Sequence, residues 1–124
     1  MKLAVIGSRD FDNYELVKTT LDAIPNITLI VSGGANGADS LGEKYANENN
    51  IPTKIFKPDW STGIGRRAGY HLRNIAIIDS AEHVVAFWDG QSHGTKHALD
   101  HARKKKLTIQ EVRFSLAQGF EMSR

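Results

Sequence analysis

The chain has 124 residues, a formal net charge of +2, 40% hydrophobic and 24% charged residues, and no cysteine. That is one domain with a proper core, without disulfides, thiolate metal sites or a cysteine nucleophile. The slight positive charge permits an anionic ligand but does not mark a protein that coats nucleic acid.

Leu3 to Ile6 is a short apolar run closed by Gly7-Ser8-Arg9-Asp10, which predicts a buried opening strand. Asp12 with Glu15 three residues on predicts an N-cap, followed by helical spacing of Leu16, Val17, Thr20, Leu21 and Ile24 up to Pro25-Asn26. Ile27 to Val31 predicts a second strand and Asn36 to Asn49 a second helix, with Leu41, Tyr45 and Ala46 inward. A short strand over Thr53 to Lys57 precedes a polar, glycine- and arginine-bearing loop from Asp59 to Arg67. A third helix is predicted over Ala68 to Ser80, with Leu72, Ile75, Ala76 and Ile78 as its apolar positions. Then come a strand over Glu82 to Trp88, a glycine-bearing turn, a helix over Thr95 to Lys105 and a last strand over Leu107 to Val112. Residues 113–124 read as an extension or tail beyond a domain spanning 1–112.

Strands alternating with helices of this length predict an α/β fold. The expectation is a single Rossmann-like three-layer domain with a mainly parallel sheet and helices on both faces. No apolar run reaches the roughly eighteen residues of a membrane span. The opening apolar run is also too short for a signal peptide, so a cytoplasmic protein without membrane partners is expected.

Three predicted strands end in polar loops that carry glycine: Gly7-Ser8-Arg9, Ser32-Gly33-Gly34, and Asp89-Gly90 through Gly94-Thr95. In a parallel sheet such loops open on one edge, where ligands bind at the strand C-termini. Glycine lets the backbone approach a ligand closely, and a following helix adds its N-terminal amides, an arrangement suited to phosphate. The loop after the second strand is neither a Walker A sequence nor a G-x-G-x-x-G fingerprint. A tight strand-to-helix turn would use the same residues.

The motifs taken together are more specific. Gly7-Ser8-Arg9-Asp10-Phe11 and Ser32-Gly33-Gly34-Ala35-Asn36-Gly37-Ala38-Asp39 form the first half. Gly65-Arg66-Arg67-Ala68-Gly69 with Arg73-Asn74, then Ala86 through Thr95, form the second. In this order they resemble the SLOG superfamily, in particular its small YspA-like group, also classed as a domain of unknown function (DUF2493). The resemblance implies a Rossmann-like fold and a nucleotide or nucleotide-derived ligand, ADP-ribose derivatives included. Relatives implied by it include the LOG phosphoribohydrolases, which cut the N-glycosidic bond of nucleoside monophosphates, and the DNA-processing protein DprA, which holds single-stranded DNA. LOG enzymes carry Gly-Gly-x-Gly-Thr-x-x-Glu. Here Gly94-Thr95 is followed by Lys96, His97 and Ala98, so alanine stands where the catalytic glutamate would be.

Candidate ligand-binding residues follow. Ser32, Gly33, Gly34 and Gly37 are candidates for one phosphate, and Ser92, Gly94 and Thr95 for another. Gly7, Ser8 and Asp89 belong to the same converging loops, while Arg9 and Arg73 supply guanidinium forks for phosphate oxygens. Asp39 could accept a ribose hydroxyl or act as a first-turn acid, and Asn74 could bond a sugar or base or tie down a loop. Trp60 and Trp88 could stack on a base, and Arg66 and Arg67 could close over an anion.

His93, His97 and His101 lie four apart, but no third ligand completes a metal site, so a solvated face with His93 ahead of the helix is expected. Arg103 to Lys106 offsets a helix C-terminal dipole. The sequence therefore points to a nucleotide-type small molecule, with no required cofactor, no metal and nucleic acid not favoured. Catalytic residues stay unassigned, with Asp39, Asp59 and Asp89 as the carboxylates for a hydrolytic alternative. An apolar helix face is compatible with a homodimer or larger homo-oligomer.

Overall fold

The computed structural model describes residues 1–114 except Trp60, Thr62 and Ile64. The expected stacking role of Trp60 and the tail beyond residue 114 lie outside the described residues. Among the described residues five strands and four helices alternate: β1 (Lys2–Gly7), α1 (Tyr14–Asp22), β2 (Leu29–Ser32), α2 (Ala38–Glu48), β3 (Thr53–Ile55), α3 (Arg66–Asp79), β4 (His83–Trp88), α4 (His93–Lys104) and β5 (Thr108–Arg113). All strands are parallel, in the order β3-β2-β1-β4-β5.

Period-two alternation along β1 divides the core. Leu3 and Val5 face α1 and α2, in a cluster with Leu16, Val17, Leu21 and Tyr45. Ala4 and Ile6 face α3 and α4, in a cluster with Ile77, Ile78, Ala98 and Leu99. Strand β4 does the same, with Val85 and Phe87 on the first face and Val84, Ala86 and Trp88 on the second. Near-continuous burial of both strands is what a parallel sheet covered on both sides demands. The predicted three-layer α/β architecture is the one observed.

Boundaries differ where capping signals misled. Asn13, not Asp12, caps α1; its Oδ1 accepts the Leu16 N–H at 3.1 Å. Both α3 and α4 begin two residues earlier than their apolar periodicity indicates, because Gly65 and Ser92 start them without a side-chain cap. His93 is consequently the first residue of α4 and not part of the preceding turn. Of the expected apolar positions of α3, Ile78 is buried but Leu72 is 58% exposed; the helix also buries Gly69, Asn74 and Ile77. Strand β5 runs one residue past the expected end, with Arg113 opposite Trp88, and Phe114 packs on Phe11.

The strand order reverses between β1 and β4, which lie side by side with Gly7 opposite Phe87. The helices leaving these two strands cover opposite faces, so a crevice opens above their C-terminal ends.

Gly37 holds the turn into α2 at φ +76°, and a Cβ there would collide with the backbone oxygens of Ser8 and Arg9. The Ser8 carbonyl also accepts the Ala38 N–H at 3.3 Å, so the loops after β1 and β2 fit against each other only through glycine. Gly37→Ala combines a left-handed backbone with that collision and is expected to cost about 2 kcal/mol or more, read as a lower urea midpoint.

Candidate ligand-binding site

The loop after β1 is fixed by Ser8, a buried residue. Its N–H donates to the Phe87 carbonyl at 2.9 Å, extending the β1–β4 ladder by one bond. Its Oγ accepts the Asp89 N–H at 3.1 Å and lies 3.2 Å from the Ser92 Oγ. Asp89 in turn accepts the amides of Gln91 and Ser92 at 2.8 and 2.9 Å on Oδ1. Burial of Asp89 works against its charge, but those amides and the serine hydroxyls hold its carboxyl below the usual range. This network shapes the turn into α4.

The loop after β2 folds around a different acid. The Gly33 and Ala35 N–H groups donate to Oδ2 of Asp39 at 3.1 and 3.3 Å. These are amides that the sequence motif offers to a phosphate; here the chain's own carboxylate takes them. Burial pushes the Asp39 carboxyl up to about 6, while the two amides and the nearby Arg73 guanidinium oppose the shift. Oδ1 accepts no hydrogen bond among the described residues.

Arg73 reaches from α3 across the loop. Its Nη1 donates to the Gly33 carbonyl at 2.8 Å and, more weakly, to that of Phe56 at 3.5 Å. Its Nε donates to Asn74 Oδ1 at 3.0 Å, and the Asn74 amide donates to the Gly94 carbonyl at 3.3 Å. One continuous path of hydrogen bonds therefore joins the β2 loop, α3 and the first turn of α4. A side chain at Gly33 would collide with the Arg73 guanidinium.

Two cavities open above this frame. The first, about 520 Å³, has Ile6, Ile77 and Ala98 among its apolar walls and Asp39, Asn74 and Thr95 among its polar ones. The second, about 570 Å³, is lined by Gly33, Gly34, Lys57 and Pro58 among others. Arg9, Ala35, Tyr70 and Arg73 line both. The Tyr70 ring lies close to two guanidinium groups, 5.4 Å from that of Arg9 and 5.5 Å from that of Arg73. Hydrogen bonding from Arg9 and Arg66 lowers its phenol below the ordinary range.

The candidate residues are thus distributed as follows. Gly7, Ser8, Arg9, Asp39, Arg73, Asn74, Ser92, Gly94 and Thr95 line the first cavity, while Gly33 and Gly34 line the second. Ser32, Gly37 and Asp89 line neither. The Ser32 hydroxyl turns toward the Asp39 carbonyl at 3.5 Å, Gly37 starts α2, and Asp89 holds the α4 turn. Trp88 is a core residue whose indole N–H donates to the Ser92 carbonyl at 3.1 Å.

Tyr70 and His71 were not singled out from the sequence. With Arg67 and Asn74 they follow helical spacing, so one stripe of α3 lines the first cavity.

Of the three histidines expected on a solvated face, His93 is exposed, whereas His97 and His101 are half-buried. His97 stacks on His71 with ring centroids 4.0 Å apart, and burial with the neighbouring imidazoles lowers its pKa. His101 bonds to Asp79 at 2.9 Å. Among the described residues, no three histidines or carboxylates are grouped to hold a metal. The basic end of α4 is largely engaged at home: Arg103 pairs with Asp100 and Glu111, and Lys105 with Asp79.

Asp39 gives the site a distinct pH signature. Its folded carboxyl, at about 6, binds a proton more tightly than an aspartate at the ordinary 3.8. This group therefore favours the fold most at acid pH, and the advantage fades as pH rises through 6. The full effect is roughly 3 kcal/mol for a shift of this size. Subtracting the pH–stability curve of Asp39→Asn from that of the unmodified protein should isolate a loss of stability between about pH 4 and 6. In the same vein, Arg73→Ala removes the nearby positive charge and should move the Asp39 carboxyl resonance to a still higher titration midpoint.

The chain is 28% identical, over 118 residues, to the Gene 61 protein of Mycobacterium phage D29; the match covers 87% of this chain and 93% of that protein. Among solved structures it is similar to DNA processing protein A (DprA) of Streptococcus pneumoniae, with a TM-score of 0.77 at 19% identity. That match covers 96% of this chain and 52% of the pneumococcal one, so the chain spans about half the length of that relative. It is also similar to DNA processing protein A of Helicobacter pylori, with a TM-score of 0.73 at 20% identity, over 97% of this chain and 68% of the other. At these identities the likeness shows a shared fold. No helix among the described residues is long and apolar enough to cross a membrane. Residues 1–63, from β1 past the two glycine loops and β3, match the family described as YspA, cpYpsA-related SLOG. The chain belongs to that family.

Proposed function

We propose that this protein binds a nucleotide or nucleotide-derived ligand, a mononucleotide or an ADP-ribose-like molecule, in the first cavity, as a sensor, sequestering or accessory protein. The observation that carries the reading is the start of α4. The first amides of a helix have no acceptor within it, and Ser92 supplies no side-chain cap. His93, Gly94 and Thr95 line the cavity at that point, where the helix dipole also favours an anion. Arg9, exposed on the opposite loop, adds a fixed positive charge. Ile6, Ile77 and Ala98 offer an apolar floor for a sugar or base, and Asp39 Oδ1 and Asn74 offer polar partners. The phosphate belongs at α4, because Asp39 already occupies the Gly33 and Ala35 amides.

Ala98 lines this cavity at the position of the LOG glutamate, and a methyl group transfers no proton. Of the three aspartates considered for a hydrolytic role, Asp59 bonds Ser61 and Asp89 its own turn; neither lines either cavity. Asp39 alone remains for an N-glycosidase reading. Nucleic acid is a second reading, and the expectation against it gives way. The H. pylori relative is described as having a single-stranded DNA binding mode, and it shares this fold.

The test is native mass spectrometry of the freshly purified protein beside a thermal-shift panel of AMP, ADP, NAD, ADP-ribose and a short oligonucleotide. A shift by one of the nucleotides is expected, and Arg9→Ala should weaken that ligand about tenfold, equivalent to about 1.4 kcal/mol. A free base released from a monophosphate, and lost in Asp39→Asn, would favour the hydrolase. No bound species and no shift from any compound would leave the site without its proposed ligand.

A further inference from the structure

The second cavity differs in charge from the first. Among the described residues its lining includes Arg9, Lys57 and Arg73 and no carboxylate, whereas Asp10 and Asp39 line the first. Among the described residues Lys57 forms no ion pair or hydrogen bond, and Arg9 forms no ion pair. The Arg73 Nη1 and Nε donate to oxygens of the chain, while among the described residues Nη2 donates to none. Three cations brought to one concave surface repel one another, Asp39 offsets part of that repulsion at Arg73, and an anion bound among them relieves the rest.

From this segregation we infer that the second cavity seats a second phosphate beside the first, with Tyr70 and its neighbouring arginines common to both cavities. The ligand is then a nucleoside carrying phosphates at both ends of its sugar. Two sources share that chemistry: a free nucleoside 3′,5′-bisphosphate, and an internal nucleotide of a single strand. The inference rests on the nucleotide reading above, because it takes the start of α4 as the other phosphate seat.

Geometry distinguishes this ligand from a nucleoside diphosphate of the same charge. The two phosphates of a diphosphate share a bridging oxygen and must sit together, so they fit one seat. A 3′,5′-bisphosphate holds its phosphates apart across the ribose. The two cavities, of about 520 and 570 Å³, adjoin through Arg9, Ala35, Tyr70 and Arg73, with the start of α4 lining only the first and Lys57 only the second. Asp39, which lines the first cavity, suits a ribose hydroxyl and disfavours a phosphate at its own position.

The experiment is isothermal titration calorimetry of the full chain with adenosine 5′-monophosphate, adenosine 5′-diphosphate and adenosine 3′,5′-bisphosphate, with a thymidine series run in parallel. Oligothymidylates of two to twelve nucleotides complete the set. Lys57→Gln, an exposed substitution that keeps much of the stem, is titrated with the same compounds. The bisphosphate is expected to bind at least tenfold tighter than the 5′-diphosphate, and Lys57→Gln should bring that ratio close to one. Affinity that also climbs with oligonucleotide length and falls steeply with salt assigns the seats to a strand. A plateau at one bisphosphate unit assigns them to the free nucleotide. Equal binding of diphosphate and bisphosphate overturns the inference while sparing the nucleotide reading, as does a preference that survives in Lys57→Gln. Failure of every compound to bind overturns both.

Discussion

Two amides of the β2 loop converge on a single carboxylate oxygen of Asp39, and Arg73 grips the carbonyl of the same loop from the other side. The carboxylate is costly to bury and is kept at least partly charged by those partners. From this anchor the frame extends through Asn74 to Gly94, so α3 and α4 take their places relative to the glycine loop. The cavities are the space left beside that chain of bonds. Several of their polar wall residues are consequently held by hydrogen bonds to the chain, which is what a recognition site requires.

A glycine-rich loop at a helix start is commonly read as a phosphate cradle. In this protein the cradle is already occupied by an internal anion, and the helix start without a side-chain cap lies two strands away, across β1, at α4. The displacement matters because it separates two tasks. The β2 loop is a structural hinge post for Arg73, and the β4 loop presents amides to the crevice. Charge is divided in the same way: among the described residues both acids and cations line the first cavity, and cations without acids line the second.

The fold was legible because parallel strands buried on both faces give unbroken apolar runs, and Leu3 to Ile6 and Val84 to Phe87 are such runs. Topology followed from the alternation with helices. Helix starts were less legible: α3 and α4 begin at Gly65 and Ser92 without a capping side chain, so nothing local marked them. Leu72 was misplaced because the buried stripe of α3 passes through Asn74, a polar residue turned inward by its bond to Gly94. Most of the candidate site residues do meet at one edge. The use of Asp39 was not legible, since a carboxylate in that position suits a ribose hydroxyl and a loop amide equally well. Tyr70 and His71 were readable in principle as part of an α3 stripe with Arg67 and Asn74. Nothing in their residue types alone marks them as cavity-lining.

Parallel strands also give the molecule two unlike poles. The amino group of Met1 is tied to Asn26 and Thr28 at the start of β1, while β5 runs up beside β4 and delivers Phe114 toward the end where the loops open. The six residues of β1 separate those poles by about 20 Å. A fluorophore, tether or fused domain attached ahead of Met1 would stand clear of the crevice, while one attached just after Phe114 would begin on the crevice side. Surface immobilisation through the first pole leaves the cavities facing solution, and the choice of attachment point is set by the direction of the sheet alone.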